Sequence, residues 1–343
     1  MDRLFSTTAL LGVLRTLDRP TAFLRDTFFG DGVQFTTTEI AFDKLKMRRK
    51  LAPFVSPRVP GKARQDRARQ VTTFEPAYVK PKHEIDPDEN FIRLPGEALG
   101  GSLEPDQRYM LNVTQKLSDQ DDEITRREEW MCSQILQTGQ VIVEGEDYPA
   151  VTVDFDRDPS LTDQLLTTAR WGESGVLPLD DIRGWSTEVA VLSGGTATQV
   201  LMGAEAASIF QKDADVREIL DNRRQMTGLV ELAPVATGGQ DMVAAYLGSI
   251  GMYDFWQYTQ KYEDEAGAVQ DFWPDYGVAV IAPSVHAGAM CHGAIRDNRA
   301  LRAMTRFPKM WDQEDPSVTF MMTQSAPLPV PREPNAVKFV LVR

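Results

Sequence analysis

The sequence predicts an α+β protein, and three observations support this class. A helical period of apolar residues runs through residues 106–137, which is long enough for many turns of one helix. Short runs rich in Val, Ile and Thr occur on both sides of it, separated by Gly and Pro. Strands and helices follow one another in mixed order along the chain. We therefore expect several sheets that pack on helices.

The composition is typical of a globular protein. The chain has 343 residues, 42% hydrophobic and 25% charged, which is enough for two packed domains or one domain with large extensions. No run of about eighteen apolar residues occurs, so the sequence predicts no membrane span. Cys132 and Cys291 lie far apart, which argues against a disulfide framework and favours a reducing compartment.

Charge is divided unequally along the chain. From Lys44 to Lys82, twelve Lys or Arg residues face only Asp66 and Glu75, a net charge of +10. The whole chain carries −13, so the rest of it carries −23. An acidic body repels nucleic acid, whereas a positive segment on a negative body can bind other copies of the same chain.

The first part of the chain divides into two segments of different composition. Residues 1–43 have weak periodicity and scattered Phe residues, and predict an arm that docks on another surface. Residues 44–95 hold seven prolines and cannot bury a core of their own. Leu51 to Val59 and Val71 to Phe74 predict the two strands of a ribbon. A loop this long usually means disorder or function, and a hairpin that becomes ordered on a neighbouring subunit accounts for both.

The clearest helix is predicted over residues 106–137. Apolar residues recur there at spacings of four and seven, on one face of the helix: Tyr109, Val113, Leu117, Ile124, Met131 and Ile135. Gly139 can end the helix in the left-handed conformation. Cys132 is expected in the core. The acidic run Asp121-Asp122-Glu123 can form a divalent-ion site, but a solvated helix face is the favoured interpretation.

The remaining elements are shorter. Val141–Val143 and Ala150–Val153 predict a hairpin. Helices are expected at Asp180–Ser193, Ala204–Gln211 and Ala214–Arg224. Further strands are expected at Thr198–Met202, Phe255–Tyr262, Val278–Ala282, Val318–Thr323 and Val337–Val342.

Motifs for catalysis are weak or missing. The sequence has no Walker-type phosphate loop, no G-x-S-x-G elbow and no H-E-x-x-H motif. His286, Cys291 and His292 are residue types that bind zinc, and a hydrolase built on them is one alternative. Three such groups within seven residues form a cramped site without a fourth ligand. A loop with a buried cysteine is favoured, so we expect no enzyme activity, no cofactor and no metal.

The basic segment has three interpretations. It can bind nucleic acid, with Phe74 and Tyr78 stacking on bases, and this is the main alternative function. It can be a solvated loop. It can also be an intersubunit arm that meets the acidic body of the next copy, which uses both halves of the charge asymmetry. Apolar anchors such as Phe54 and Val55 should then contribute more binding than the charges. The predicted contact residues are Arg48, Arg49, Lys50, Arg64, Arg67, Phe74, Tyr78, Lys80 and Lys82.

Several strings occur in the order found in one known family, across nearly the full chain. The most specific is Tyr78-Val79-Lys80-Pro81-Lys82-His83, within Phe74–Glu84. The others are Phe35-Thr36-Thr37-Thr38-Glu39, Val55-Ser56-Pro57, Arg93-Leu94-Pro95, Phe307-Pro308-Lys309-Met310-Trp311 and Gln324-Ser325-Ala326-Pro327-Leu328. With them, the chain resembles the lambda-type major capsid proteins, the phage major capsid protein E family.

The resemblance implies the Hong-Kong-97-like capsid fold and a division of the chain into five parts. These are an N-terminal arm (1–43), an extended loop (44–95), a peripheral domain (96–160) with a spine helix at about 106–137, an axial domain (161–311), and strands that return to the peripheral domain (312–343). The spine helix is expected to pack on a peripheral sheet built from the Val141 hairpin and the C-terminal strands.

The resemblance also implies function, partners and location. The chain would be the major head protein of a tailed double-stranded DNA phage, assembling with itself as pentamers and hexamers into an icosahedral procapsid that expands on DNA packaging. Because the chain begins directly with the arm, a separate scaffolding protein is expected. A portal protein is a further expected partner, and the sequence leaves open whether a decoration protein binds the outside. The shell would enclose DNA without sequence-specific binding, and be part of the virion after assembly in the host bacterial cytoplasm.

Overall fold

The computed structural model describes most of the chain, with several gaps. The described residues are 7–14, 16–17, 21–30, 32–45, 69–92, 103–145, 148–217, 235–236, 244–264, 266–300, 303–315 and 317–343. Within these ranges, no helix is both long and apolar enough to cross a bilayer.

Helices and strands occur in mixed order, as the α+β prediction requires. The helices are α1 (Thr7–Leu14), α2 (Pro105–Thr138), α3 (Pro178–Ser193) and α4 (Ala204–Lys212). Short helical turns occupy Arg25–Phe29, Pro87–Asn90, Pro159–Leu161, Thr167–Ala169, Pro283–His286 and Pro334–Ala336. The strands are β1 (Val33–Gln34), β2 (Ile40–Leu45), β3 (Arg69–Phe74), β4 (Lys82–Ile85), β5 (Gln140–Gly145), β6 (Tyr148–Asp154), β7 (Thr162–Gln164), β8 (Gln199–Met202), β9 (Val235–Ala236), β10 (Ala244–Ile250), β11 (Tyr253–Tyr258), β12 (Lys261–Glu263), β13 (Val269–Asp271), β14 (Gly277–Ile281), β15 (Ala289–His292), β16 (Phe307–Gln313), β17 (Val318–Gln324), β18 (Pro327–Val330) and β19 (Val337–Leu341).

The strands form one large sheet and several small ones. The large sheet has the order β7-β19-β14-β8-β11-β10-β9 and mixes parallel with antiparallel pairs. Two three-stranded sheets have the orders β1-β15-β18 and β16-β17-β4. The pairs β2-β3, β5-β6 and β12-β13 are two-stranded ribbons. The prediction that the Val141 hairpin and the C-terminal strands form one peripheral sheet is therefore wrong. In the described residues, β5 and β6 pair only with each other, and β19 lies between β7 and β14 in the large sheet.

Three apolar clusters hold these layers together. One packs α3 and α4 on the large sheet around Trp171, whose ring stacks on Trp185 at 5.9 Å. A second joins the C-terminal half of α2 to the other face of that sheet and to the β1-β15-β18 sheet. The third joins α1 to α2 and to β4, β16 and β17. All three clusters include residues far apart in sequence, so the described chain folds around shared cores.

The predicted elements after residue 105 agree closely with the structure. The apolar face of α2 is buried as expected, with Leu117 and Ile124 fully covered and Cys132 in the core. The predicted strand Phe255–Tyr262 is broken at Thr259 and Gln260, which separate β11 from β12. Helix begins at Ala214 as predicted, but residues 218–224 lie outside the described residues.

The strands β2 and β3, which flank the basic segment and are called the basic ribbon below, form a pair whose first strand differs from the one predicted. β3 pairs antiparallel with β2, so that Ile40 faces Phe74 and Leu45 faces Arg69. The predicted strand Leu51–Val59 lies outside the described residues. A strand partner is selected by tertiary position, which local composition does not report.

The C-terminal end of α2 is closed by a glycine and a buried arginine. Gly139 has φ +75°, and its amide donates to the Ile135 carbonyl at 2.9 Å. Arg157 donates to the Leu136 carbonyl at 2.8 Å and also to that of Gln137. The guanidinium thus satisfies the free carbonyls at the negative end of the helix. Burial lowers the pKa of Arg157 to about 10.

Gly139→Ala should destabilise the protein by more than backbone strain alone. A Cβ on Gly139 would lie 2.6 Å from the Arg157 Cβ, whereas one on Gly175, at φ +87°, would meet nothing within 4 Å. We expect Gly175→Ala to cost about 1–2 kcal/mol, the usual left-handed penalty, and Gly139→Ala clearly more. Urea unfolding of both variants measures the difference. Equal losses would contradict the close approach to Arg157.

Candidate assembly interface

The basic ribbon is anchored to its own chain at its base. The strand pair begins where Ile40 faces Phe74. Ile40 is fully buried, and the half-buried Phe74 packs on the main core, with its ring 6.4 Å from that of Phe155. Phe74 therefore holds the ribbon to the body of the same subunit.

Tyr78 connects the chain after the ribbon to the segment after β15. Its hydroxyl donates to the Ala294 carbonyl at 2.8 Å and accepts from the Arg296 amide. Arg296 also pairs with Glu75. Burial raises the pKa of Tyr78. One residue further, Val79 and Ser325 exchange backbone hydrogen bonds of 2.9 and 3.0 Å.

The two lysines that follow lie over aromatic rings of the same chain. The Lys80 ammonium is 4.8 Å from the centre of the Tyr78 ring, and that of Lys82 is 3.8 Å from the centre of the Phe320 ring. Both distances fit cation–π contacts. Lys82 also begins β4, which pairs with β17. The Lys80 and Lys82 charges are thus partly engaged within the subunit.

The predicted contact residues therefore fall into two groups. Phe74, Tyr78, Lys80 and Lys82 contact their own chain, and their role between subunits stays a prediction. Arg48, Arg49, Lys50, Arg64 and Arg67 lie outside the described residues. Sequence reasoning missed Ala294 and Arg296 as partners of Tyr78, because 216 and 218 residues separate them and no local pattern connects such positions.

A buried ion network crosses the middle of α2. The Arg306 guanidinium donates to Asp121 at 2.8 Å and to Glu128 at 2.6 Å. All three side chains are at least 94% buried. The interpretation of Asp121-Asp122-Glu123 as a solvated face is thus wrong for Asp121. Its carboxylate points into the interior and pairs with Arg306, the residue directly before β16.

The same helix binds the N-terminal arm through two adjacent carboxylates. Arg25 pairs with Glu128 at 3.0 Å. Glu129 accepts from the Leu24 and Arg25 amides at 2.8 and 2.9 Å, and from the Tyr258 hydroxyl at 2.8 Å. Burial raises the pKa of Glu129 to about 7 against the opposing effect of these donors. Burial acts upward on Glu128 too, but Arg306 and His292 outweigh it and hold the Glu128 pKa well below its usual range.

The histidine and cysteine cluster lies beside this network. His292 is in β15, 3.2 Å from Glu128, and Cys291 is buried in the same strand, so the expected loop is in fact a strand. His286 ends the preceding helical turn, edge-on to the Phe29 ring at 5.2 Å. Burial, with a further contribution from Arg157, lowers the pKa of His286 to about 4. No group of three or more His, Cys, Asp or Glu side chains suited to a metal occurs in the described ranges.

Comparison with solved structures identifies the class of fold. The crystal structure of the putative capsid protein of a prophage of E. coli CFT073 matches with a TM-score of 0.74 at 24% identity, covering 98% of this chain and 99% of that one. The asymmetric unit of the bacteriophage PhiM1 mature capsid matches with a TM-score of 0.50 at 9% identity, covering 94% and 87%. The chain thus has the Hong-Kong-97-like capsid fold.

Sequence comparison identifies the family. The profile of the family described as phage major capsid protein E matches residues 6–341. The P21 prophage-derived major head protein of E. coli O6:H1 strain CFT073 is 30% identical over 99% of each chain. The major capsid protein of Escherichia phage lambda is 29% identical over 94% of this chain and 93% of its own. The chain belongs to the phage major capsid protein E family and is a structural protein of the virion, not an enzyme.

Removing the cation from the buried network should be strongly destabilising. Arg306→Leu would leave Asp121 and Glu128 buried without their cation, which costs about 3–5 kcal/mol in comparable buried pairs. Arg183→Leu is the control, because Arg183 pairs with Asp180 at 2.8 Å with both side chains more than half exposed. We expect the control to lose less than about 1 kcal/mol. Urea unfolding of the unassembled chains measures both, and similar losses would contradict the network's role.

His286 should make the folded state sensitive to acid. Its pKa is about 4 in the folded protein against 6.5 when unperturbed, so the unfolded chain binds the proton first. Stability is then complete above pH 6.5 and falls by roughly 3 kcal/mol as the pH drops to 4. In His286→Leu this loss should disappear. The Glu129 carboxyl has the opposite slope between pH 4.5 and 7, but it is common to both proteins.

The measurement is urea unfolding of wild type and His286→Leu at several pH values between 4 and 7. The difference between the two curves isolates the imidazole, since the other titrating groups are shared. If the unfolding free energies of the two proteins change in parallel with pH through this range, His286 does not cause the loss of stability in acid.

Proposed function

We propose that this chain builds the icosahedral head of a tailed double-stranded DNA phage as pentamers and hexamers, and that the basic segment of each copy lies on the acidic body of the next. The family forms its shells from many copies of one chain. The main support for this contact between copies is the unequal distribution of charge, with a net charge of +10 in residues 44–82 and −23 in the rest of the chain. A contact between two different surfaces of the same chain propagates from copy to copy, and it closes into a ring where the rotation between copies closes.

The geometry at the base of the ribbon supports this proposal. Phe74, Tyr78 and Lys82 are engaged by their own subunit, so the base is fixed while the ribbon continues to Leu45 and Arg69. The charges beyond that point, from Lys46 to Arg67, belong to the sequence between the two strands. Single exposed ion pairs contribute only about 0–1 kcal/mol, so the contact must act through several of them and through apolar anchors such as Phe54.

Further partners follow from the same proposal. A separate scaffolding protein directs formation of a procapsid, and a portal protein is a further partner of the shell. The procapsid expands as DNA enters. The acidic body discourages adsorption of the genome to the wall, so DNA is enclosed without sequence-specific binding. The comparisons give no support to the alternative of a nucleic-acid-binding protein. Electron microscopy of the chain co-expressed with the scaffolding protein of the same phage tests assembly directly.

Reversing charges in the basic segment should impair assembly but not folding. We expect Arg64→Glu with Arg67→Glu to abolish or greatly reduce closed particles, because the segment would then repel the acidic body. The control is Lys212→Glu with Arg217→Glu, two exposed residues outside the segment that give the same change in net charge. Particle yield by electron microscopy and the urea midpoint of the unassembled chain are measured. Normal particles from the first variant would remove the support for the arm.

A further inference from the structure

One of the two adjacent carboxyl groups in the middle of α2 has only neutral hydrogen-bond partners. Glu128 and Glu129 are both 1% exposed. Three cationic or imidazole side chains contact the Glu128 carboxylate at 2.6–3.2 Å, namely Arg25, His292 and Arg306. In the part of the chain that the structure describes, none of them forms an ion pair with Glu129. A buried carboxylate without a cation is costly, so this environment favours the neutral form of Glu129.

The hydrogen bonds around Glu129 also require one more hydrogen than its neighbours supply. The Tyr258 hydroxyl oxygen lies 2.8 Å from Glu129 Oε1 and 2.8 Å from Gln260 Oε1. A hydroxyl has one hydrogen to donate, and an amide oxygen has none. Burial, together with the Glu129 carboxyl, raises the pKa of Tyr258, so the phenol keeps its hydrogen. Both short contacts are hydrogen bonds only if Glu129 Oε1 carries a proton.

A proton on Glu129 Oε1 gives each of these contacts a hydrogen. The carboxyl O–H donates to the Tyr258 hydroxyl oxygen, and Tyr258 in turn donates to Gln260. The lone pairs of the two carboxyl oxygens still accept from the Leu24 amide at 2.8 Å and from the Arg25 amide at 2.9 Å. The protonated carboxyl therefore connects the arm to α2 and to β11 without a buried charge.

We propose that attachment of the arm depends on a proton held by Glu129: the protonated carboxyl binds residues 21–30 of the arm to α2, and loss of the proton weakens this attachment. When the arm detaches, Glu129 meets water, which stabilises its ionised form. Detachment therefore releases a proton, and a rise in pH favours detachment. The contact lies within one subunit, so it is independent of the proposed function.

The pH range of this effect follows from the two environments of the carboxyl. Burial raises the pKa of Glu129 from 4.5 to about 7 in the folded subunit, against the opposing effect of the Leu24 and Arg25 amides and the Tyr258 hydroxyl. With the arm detached, the carboxyl returns toward 4.5. Attachment is thus strongest below pH 4.5, weakens by about tenfold per pH unit up to pH 7, and is constant above it.

Other ionisable groups pack around Glu129, and most of them do not titrate in this range. They are Arg25 and Asp26 of the arm, Glu128 and Cys132 of α2, Tyr258 of β11, and His292 and Arg306 on the far side of Glu128. Burial acts upward on Glu128, but Arg306 and His292 hold its pKa well below the usual range. Burial raises the pKa of Cys132 and of Tyr258, so both stay protonated. Asp26 and His292 are common to the proteins compared below.

Hydrogen exchange of the unassembled chain, followed by mass spectrometry, tests the contact in wild type and in Glu129→Gln. A glutamine amide imitates the protonated carboxyl, because its nitrogen donates and its oxygen accepts, but it does not titrate. In wild type we expect the protection factors of the Leu24 and Arg25 amides to fall about 300-fold between pH 4.5 and 7. In Glu129→Gln this fall should disappear.

The control is Glu205→Gln, which removes an exposed carboxylate from the first turn of α4. It should keep the pH dependence of the wild type. An equal fall in wild type and Glu129→Gln would overturn the inference, because another group would then control the arm. If Glu129→Gln does not fold, the wild type still decides. Protection of the Leu24 and Arg25 amides that stays constant between pH 4.5 and 7 would mean that Glu129 carries no proton, and that Gln260 presents its amide nitrogen to Tyr258.

Discussion

Two adjacent carboxylates on the long helix, Glu128 and Glu129, set the constraint on which the rest of the subunit depends. Both are almost completely removed from water, and an ionised carboxylate there is stable only if partners surround it. Glu128 forms ion pairs with Arg306 and Arg25. Glu129 accepts hydrogen bonds from the backbone amides of Leu24 and Arg25. Because a misplaced arm or strand would leave a buried charge unpaired, these contacts select one arrangement of the elements even if their net contribution to stability is small.

The helix α2 consequently acts as the hub of the subunit. Its C-terminal half meets the arm and the β1-β15-β18 sheet, and its N-terminal half meets α1 and the β16-β17-β4 sheet. The Arg157 guanidinium donates hydrogen bonds to the carbonyls at the C-terminal end of α2, so these carbonyls do not depend on water for a partner. The base of the basic ribbon is attached to the same sheets through Tyr78 and Val79.

Periodicity and composition predicted the long helix, the β5-β6 hairpin and the strands β3, β8, β11, β14, β17 and β19, because local burial patterns determine them. They failed where partners are distant in sequence. Asp121 reads as part of a solvated acidic run, yet Arg306, 185 residues away, draws it into the interior. The partner of β3 and the place of β19 are likewise decided by tertiary packing. The charge asymmetry of residues 44–82 was visible from composition alone, whereas the buried partners of Glu128 and Glu129 needed the structure.

The two kinds of charge in this protein respond differently to salt. Exposed charges lose most of their interaction beyond about 8 Å at physiological ionic strength, but buried pairs are screened far less. The Arg306 network is buried, so the subunit keeps its internal connections when the ionic strength rises. Ion pairs between the basic segment of one copy and the acidic body of the next, as proposed above, would weaken under the same conditions. A shell protein built in this way can break and remake contacts between subunits during assembly while each subunit stays folded.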